Sequence, residues 1–320
     1  MPGYELIGEE ELNQIKDVFN SGGILFRHGF DKLRGNCYKV KEFEDKFCNY
    51  LGGNFSLAVT SGTAALRVAL AALDIGEGDE VITQTFTFVA TAEAIIESKA
   101  TPVFGEINEN LNLDPNLLES KITEKTKAII VVHMLGTPCY LSDIKDICKK
   151  YNIFLIEDTA WGCGGKLENN YLGTIGDIGT FSFDFAKTIT TGEGGMLIIR
   201  NEEIYKKACA WHDHGHENNP KFPRWEDTRS SSGFNYRMME LQGAVGLAQL
   251  GKLDSIIKQQ RKNKSHLWDN ICDLNFIKAR QTPDGSYETA DAMIFFVPDR
   301  TFALLCREKL IKAGLGTKIL

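Results

Sequence analysis

Short apolar runs alternate with segments of helical periodicity through the first two thirds of the chain. Seven runs are predicted to be strands, most of them continuous in Val, Ile and Leu: Phe55–Thr60, Glu80–Thr83, Pro102–Ile107, Lys127–His133, Ile153–Asp158, Gly179–Phe183 and Met196–Arg200. Continuous apolar strands are typical of a sheet covered on both faces. Helices are predicted between and after them: Thr63–Leu73, Thr91–Ser98, Pro115–Ser120, Leu141–Lys150 and Glu202–Ala210. This order predicts an α/β fold, a mainly parallel sheet flanked by helices.

The pattern changes in the last third. Residues His212–Ser232 are polar and rich in His, Arg, Asn and Ser, which predicts a long loop, and loops of this length are usually functional or disordered. Further elements follow it: helices Arg237–Leu250, Leu253–Asn275 and Thr301–Ala313, and a strand Ala292–Val297. We therefore predict a large α/β domain with an N-terminal arm over residues 1–250. Residues 251–320 are predicted to form a connecting helix and the start of a smaller α+β domain.

Composition narrows the class of protein. The 36 Lys and Arg against 43 Asp and Glu give a net charge of −7, which disfavours nucleic acid as the main partner. No apolar run reaches the roughly 18 residues of a membrane-spanning helix, and residues 1–10 are acidic rather than signal-like. We expect a cytoplasmic protein without membrane association. The 8 cysteines are scattered without a CxxC pair, so reduced thiols are expected rather than disulfides or zinc ligands.

Candidate chemistry concentrates at the predicted carboxyl edge of the sheet, where open α/β folds bind ligands. The run Thr60-Ser61-Gly62-Thr63 leads from a strand into a helix. Free N–H groups at a helix start, with hydroxyls beside them, bind phosphate. A Ser or Thr in this place is more often a simple N-cap, so both interpretations stay open.

Two more features belong to the same edge. Glu157 and Asp158 close an apolar strand; such a carboxylate is a turn residue, the partner of a cofactor cation or a metal ligand. No His or Cys at ligand spacing supports the metal. Lys187 follows another apolar strand among aromatic and small residues. Poor solvation there would lower the pKa of its amine and make it a nucleophile; the alternative is a solvated surface lysine.

Pyridoxal phosphate needs three groups from a protein: a cradle for its phosphate, a carboxylate for its ring nitrogen and an amine for a Schiff base. The three features at this edge offer one of each. The sequence also resembles the sugar aminotransferases of the DegT/DnrJ/EryC1/StrS type, within the fold-type I pyridoxal phosphate enzymes. The resemblance runs from about Tyr4 to Leu320, through TSGTAAL, GDEVI…FTFVAT, KAIIVVH, IEDTAWGCGG, GTIGDIGTFSFDFAKTITTGEGG, HDHGH and GFNYRMMELQGAVGLAQL. The implied fold is a fold-type I aminotransferase with a smaller C-terminal domain.

The resemblance implies roles for individual residues. Lys187 matches the family's Schiff-base lysine, and Asp158 matches the carboxylate that keeps the pyridine nitrogen protonated. The other cofactor positions are matched by Gly62, Thr63 and Ser182 at the phosphate, Phe88 on the ring, and Asn235 at the phosphate of the neighbouring subunit. A homodimer with shared active sites is therefore implied.

The chain departs from the family pattern in two places. Many relatives have Gln or His near the cofactor's phenolic oxygen, where this chain has Trp161. An indole N–H can donate a hydrogen bond, but its bulk alters the substrate pocket. Relatives also continue for some tens of residues beyond the position of Leu320, so we expect part of the small domain to be absent.

Substrate contacts are predicted for His133, Trp161, His214 and His216. His133 closes a strand at the same edge, and a half-buried, hydrogen-bonded histidine explains it equally well. The spacing of His212, His214 and His216 suits metal ligands, but Gly215 breaks the run and the resemblance implies a loop near the active site. A metal site, a substrate-side loop and a structural loop stay open, and no metal is predicted.

The resemblance implies a transaminase that moves an amino group from an amino acid, glutamate by analogy, to a keto- or aldehydo-sugar. Pyridoxamine phosphate forms during turnover. Two alternatives are a pyridoxamine-dependent sugar dehydratase, in which the position of Lys187 resembles His, and a non-catalytic cofactor-binding regulator. Residues 1–6 and Asp213–His216 are similar to the branch that makes 8-amino-3,8-dideoxy-octulosonate from the 8-oxo sugar. Nucleotide-activated keto-sugars, inososes and small phosphorylated ketones are alternative acceptors.

Overall fold

The computed structural model describes residues 2–219 and 221–319, so Met1, Pro220 and Leu320, each within a predicted segment, lie outside the described residues. The helices of that part are α1 Glu9–Asn20, α2 Lys39–Leu51, α3 Gly62–Ala72, α4 Val89–Glu97, α5 Pro115–Leu118, α6 Leu141–Tyr151, α7 Glu202–Trp211, α8 Glu240–Leu250, α9 Leu253–Asp269 and α10 Arg300–Lys312. The strands are β1 Phe55–Val59, β2 Glu80–Gln84, β3 Thr101–Gly105, β4 Thr126–Val132, β5 Phe154–Asp158, β6 Lys166–Leu167, β7 Asn170–Tyr171, β8 Ile178–Ser182, β9 Gly195–Ile199, β10 Lys278–Ala279, β11 Ser286–Tyr287 and β12 Phe295–Phe296.

A seven-stranded sheet, in the order β1-β9-β8-β5-β4-β2-β3, forms the centre of the fold. The pairs β2–β3, β2–β4, β4–β5 and β5–β8 are parallel, whereas β9 runs antiparallel to both β1 and β8. Strand β1 is therefore parallel to the rest. The predicted α/β class with a mainly parallel sheet is confirmed.

Both faces of the sheet are covered, as the continuous apolar strands predict. Neighbouring residues of β9 point to opposite faces: Leu197 and Ile199 pack with α3, while Met196 and Ile198 pack with α2. This alternation is the ordinary geometry of a strand. Six of the seven strands, all except the edge strand β3, contribute buried residues to two hydrophobic clusters.

Several elements differ from the prediction. No helix was predicted before residue 63, yet α1 and α2 form there, and α2 buries Val40, Phe43, Phe47 and Leu51 at helical spacing. The predicted long helix from Leu253 ends at Asp269, and the predicted strand Ala292–Val297 shortens to β12. Strand β11 pairs with β6, which also pairs with β7, in a three-stranded sheet; the β11–β6 pairing is a long-range contact without a local sequence signal.

The topology brings the candidate residues to one edge. Because β1, β5 and β8 are parallel, their carboxyl ends lie on the same side of the sheet. Those ends carry the turn into α3, Asp158 and Ser182. In the described part of the chain, no helix combines the length and the apolar character that a membrane crossing requires.

Candidate active site

A cavity of about 330 Å³ opens at this carboxyl edge, within the range of small-molecule sites. Seven residues predicted for the site line it: Gly62, Thr63, Phe88, Asp158, Trp161, Ser182 and Lys187. Size alone does not select this cavity, since a groove beside α10 is larger, about 1130 Å³. The lining of that groove is mainly apolar. We therefore assign the site to the smaller cavity, because its lining carries the candidate lysine, aspartate and serine.

The start of α3 forms one wall. The Ser61 hydroxyl oxygen caps the helix by accepting from Ala64 N at 3.0 Å, so the N-cap interpretation of this serine holds. The first N–H groups of a helix have no partner within it, and Gly62 and Thr63 stand at that position in the cavity wall. A Cβ on Gly62 would lie 2.7 Å from Ser182 Cβ. Only glycine lets the serine approach so closely, which brings a hydroxyl beside the helix start.

Asp158 forms the floor of the cavity and is 6% exposed. Its carboxylate accepts from Thr91 Oγ1 at 3.0 Å and from Ala160 N at 3.2 Å. Burial raises the pKa of Asp158, and these hydrogen bonds and the nearby Lys187 oppose that rise. A buried carboxylate of this kind is suited to a cationic partner that enters the cavity.

Lys187 reaches the cavity from the loop after β8. Its Nζ lies 3.6 Å from the centroid of the Trp161 ring, a cation–π contact. Burial lowers the pKa of the Lys187 amine, while the charge of Asp158 raises it and only partly offsets the effect. A larger fraction of this amine is therefore neutral at a given pH than of a solvated lysine, and a neutral amine is the nucleophilic form.

The residues present fit pyridoxal phosphate. The helix start with Ser182 offers donors to a phosphate, Asp158 offers an anion to a ring nitrogen, and Lys187 offers an amine to an aldehyde. Phe88, 68% exposed, offers an aromatic face at the rim of the same cavity.

His133 does not line the cavity. It is fully buried, its Nε2 lies 3.0 Å from Glu157 Oε2, and its Nδ1 accepts from Cys139 N at 3.2 Å. In this structure His133 is an internal, hydrogen-bonded histidine, which is the alternative that the sequence left open. The backbone N–H of His133 donates to the Asp158 carbonyl, so His133 helps to fix the backbone of Asp158.

No specific role was assigned to Glu157 from the sequence. Its position beside Asp158, as one of two adjacent acids at a strand end, was the feature that could have indicated one. Glu157 is not among the residues that line the cavity, and it is fully buried. Besides His133, it accepts from the backbone N–H groups of Gly173, Ile175 and Gly176 at 2.6–2.8 Å. Burial alone would raise the pKa of Glu157, but these hydrogen bonds outweigh it and lower the pKa.

The His212–His216 cluster and Asn235 lie outside the cavity lining of their own chain. His214 is exposed. His216 is buried, with Nδ1 3.1 Å from Asp227 Oδ2, and His212 Nδ1 lies 2.5 Å from the Cys209 carbonyl oxygen. Asn235 is exposed, and its backbone pairs with Asp213.

Asp213 organises this loop, and the sequence did not single it out for that role. The buried carboxylate contacts Arg224, Arg237 and, at 3.3 Å, His28 Nε2. Burial would raise the pKa of Asp213, but these donors and charges lower it far below its usual range. Arg224 and Arg237 are 11 and 24 residues from Asp213 in sequence, and His28 belongs to a distant segment, so no local pattern indicates the cluster.

Comparisons with known proteins agree with this geometry. The sequence profile of the DegT/DnrJ/EryC1/StrS aminotransferase family matches residues 6–319. GDP-perosamine synthase of Escherichia coli O157:H7 is 42% identical over 70% of this chain and 60% of that protein. Bacillus subtilis spore coat polysaccharide biosynthesis protein SpsC is 38% identical over 80% of this chain and 65% of that protein. The chain thus spans less than two thirds of the length of these two relatives.

Solved structures give the same result. Helicobacter pylori PseC, an aminotransferase involved in pseudoaminic acid biosynthesis, superposes with a TM-score of 0.85 at 27% identity, over 96% of this chain and 81% of that one. Streptococcus pneumoniae Spr1654 in its PLP form also gives 0.85 at 27% identity, over 98% and 82%. The chain belongs to the DegT/DnrJ/EryC1/StrS aminotransferase family. The predicted family and the predicted aminotransferase class are confirmed, and the family implies pyridoxal phosphate.

Proposed function

We propose that this protein is a pyridoxal phosphate-dependent aminotransferase that transfers an amino group from glutamate to the carbonyl group of a sugar or sugar-like acceptor. The observation that carries the proposal is a single cavity in which Lys187 and buried Asp158 meet the start of α3. The names of the relatives, among them GDP-perosamine synthase and the pseudoaminic acid aminotransferase PseC, support a sugar acceptor.

When bound, pyridoxal phosphate supplies an aldehyde for the amino group and a ring that stabilises negative charge on the reacting carbon. In this proposal the N–H groups of Gly62 and Thr63 and the Ser182 hydroxyl bind its phosphate. Asp158 accepts a hydrogen bond from the protonated ring nitrogen and keeps it cationic. Lys187 Nζ would accept the proton that leaves the substrate's amino-bearing carbon and then donate it again, so that one amine acts as general base and general acid.

Trp161 and Phe88 complete the cavity in this proposal. Phe88 stacks on the ring, and its present exposure leaves that face free for the cofactor. The Trp161 ring holds Lys187 Nζ when the lysine carries a positive charge. Its bulk also limits the size of the acceptor group that reaches Lys187.

We also propose a homodimer in which Asn235 of each chain serves the site of its partner, because Asn235 is exposed and does not line its own cavity. His214, exposed on the neighbouring loop, is a candidate substrate contact in the same arrangement. His216, buried against Asp227, then acts by holding that loop in place.

The proposal is tested by identifying the lysine that carries the cofactor. Borohydride reduction of the loaded protein, followed by peptide mapping, is expected to label Lys187. Lys187→Ala is expected to lose the label and the turnover, whereas Lys125→Ala, at an exposed lysine far from the cavity lining, keeps both. A label on another lysine would contradict the assignment. Incubation with glutamate and a panel of carbonyl sugars, with product masses measured, then identifies the acceptor.

A further inference from the structure

Lys187 lies on a loop whose two ends are fastened to each other. Thr190 Oγ1 and Thr191 N both donate to the Phe183 carbonyl, at 3.1 and 3.0 Å. Within the segment between them Phe185 is 57% exposed, whereas Thr188 and Ile189 are buried. The position of the Lys187 amine in the cavity therefore depends on the contacts that hold the backbone of this loop.

The N-terminal turn Gly3–Leu6 contacts this part of the loop directly. Gly3 N donates to the Lys187 carbonyl at 3.0 Å. The Tyr4 ring stacks on the Phe185 ring, with centroids 4.3 Å apart and planes inclined by 18°. A Cβ on Gly3 would lie 2.9 Å from Ile189 Cα, so the turn packs on the backbone of the loop at van der Waals distance. We call Gly3–Leu6 the N-terminal clamp.

The N-terminal clamp is itself anchored to the body of the protein. Lys252 Nζ donates to the Leu6 carbonyl at 2.6 Å and to Glu11 Oε1 at 2.7 Å. Gln249 links the same carboxylate to the lysine loop, since its Nε2 donates to Glu11 at 2.8 Å and its Oε1 accepts from Thr190 N at 3.3 Å. The end of α8 thus supports the clamp and the loop together.

We propose that Gly3 and Tyr4 are positioning residues for Lys187: they fix the backbone of the lysine so that its amine is presented to the cofactor aldehyde. This inference rests on the proposed function. A lysine on a loosely held loop samples more conformations, and fewer of them bring Nζ within bonding distance. The clamp acts about 180 residues away in sequence from the residue that it positions, which is why no local motif indicates it.

The test measures the rate at which pyridoxal phosphate attaches to Lys187, by quenching with borohydride at a series of times and mapping the label. Tyr4→Ala removes the stacked ring and is expected to slow attachment by about two- to tenfold, the factor to which one aromatic pair corresponds. Tyr4→Phe keeps the ring and is expected to match the unchanged chain. Gly3→Val forces the turn off the loop backbone and is expected to slow attachment at least as much as Tyr4→Ala.

Ile144→Val, on the buried side of α6 in a hydrophobic cluster, is the control for a general loss of stability. Hydrogen exchange of the cofactor-free protein is a second measurement: amides of residues 184–190 are expected to exchange faster in Tyr4→Ala but not in Ile144→Val. Equal attachment rates in Tyr4→Ala and Ile144→Val, at matched stability, would overturn the inference. Failure of the proposed function is a separate outcome, because Lys187 would then carry no label even in the unchanged chain.

Discussion

Lys187 and Asp158 each favour the charged form of the other, while burial favours the neutral form of both. For Lys187 the burial effect is larger, and the pKa of its amine falls below that of a solvated lysine, about 10.4. For Asp158 burial also dominates and raises the pKa of its carboxyl, and a cation in the cavity would favour the charged carboxylate. In the proposed function, Asp158 would pair with a cationic ring nitrogen while Lys187 reacts as a neutral amine.

Asp158→Asn is expected to change two measurements, the pH dependence of cofactor attachment and the rate of turnover. Removal of the anion lowers the pKa of Lys187 further, so the pH midpoint for attachment of pyridoxal phosphate moves down. Turnover is expected to fall by about 10²-fold or more, because one preorganised electrostatic stabiliser of the cationic ring is lost. Attachment rates and steady-state turnover measured across pH check both parts. Near-normal turnover with the cofactor fully bound would exclude the assigned role.

Glu157 is expected to contribute to stability rather than to contact the cofactor. Glu157→Gln places an amide N–H₂ against backbone N–H donors and is expected to lower the free energy of unfolding by about 2–4 kcal/mol. Urea unfolding measures this loss of stability. Glu124→Gln, which makes the same change at an exposed acid, is the control. The folded pKa of Glu157 is lowered, so its contribution is complete above the unfolded pKa of about 4.3 and is lost as the pH falls through the folded value. The difference between the two variants should therefore be the same at about pH 7 and pH 6 and narrow below about pH 4.

At the scale of elements, the central strands were predictable because each is a short apolar run that ends in polar residues. Lys187, Asp158 and the turn at Gly62 stand at those ends, so the sequence also indicated that they meet. Helix α2 has its buried residues at helical spacing, yet it lies outside the alternation of strands and helices that guided the prediction. The direction of β9 and the pairing of β11 with β6 depend on contacts between distant segments, which periodicity does not encode.

Gly62 tests whether the start of α3 binds the phosphate. A Cβ there would lie 2.7 Å from Ser182 Cβ, so Gly62→Ala pushes the serine away from the first N–H groups of the helix. We expect the Kd for pyridoxal phosphate to rise by about tenfold or more, the loss of one to two hydrogen bonds to a charged group. Equilibrium dialysis measures it. Gly76→Ala, where a Cβ makes an ordinary 3.5 Å contact, is expected to leave the Kd unchanged.

At the scale of the molecule, the loop that carries Asn235 bears on how two chains could share a site, because Asn235 is exposed and does not line the cavity of its own chain. Buried Asp213 gathers Arg224, Arg237 and His28, and this cluster holds the backbone that carries Asn235. A role of Asn235 in the site of a second chain would explain why this cluster fixes the backbone of an exposed asparagine. A two-fold dimer makes every such contact twice, and each loop would then cover the sheet edge of the other subunit.

Mixing two inactive variants tests this arrangement. Lys187→Ala lacks the amine, and Asn235→Asp brings a repelling charge to the phosphate of the partner's site. In a mixed dimer, one site has both intact residues and the other has neither. Random exchange makes about half of the dimers mixed, so about a quarter of all sites should recover activity. Subunit exchange and the inactivity of Asn235→Asp alone are established first.

A mixture of Lys187→Ala with Asp158→Asn is the matched control. Both of these residues line one cavity of one chain, so each site in a mixed dimer keeps one defect and no activity returns. Recovery in the first mixture but not in the second requires that Asn235 act across the interface. If neither mixture recovers although the subunits have exchanged, Asn235 serves its own chain or none, and the loop held by Asp213 needs another explanation.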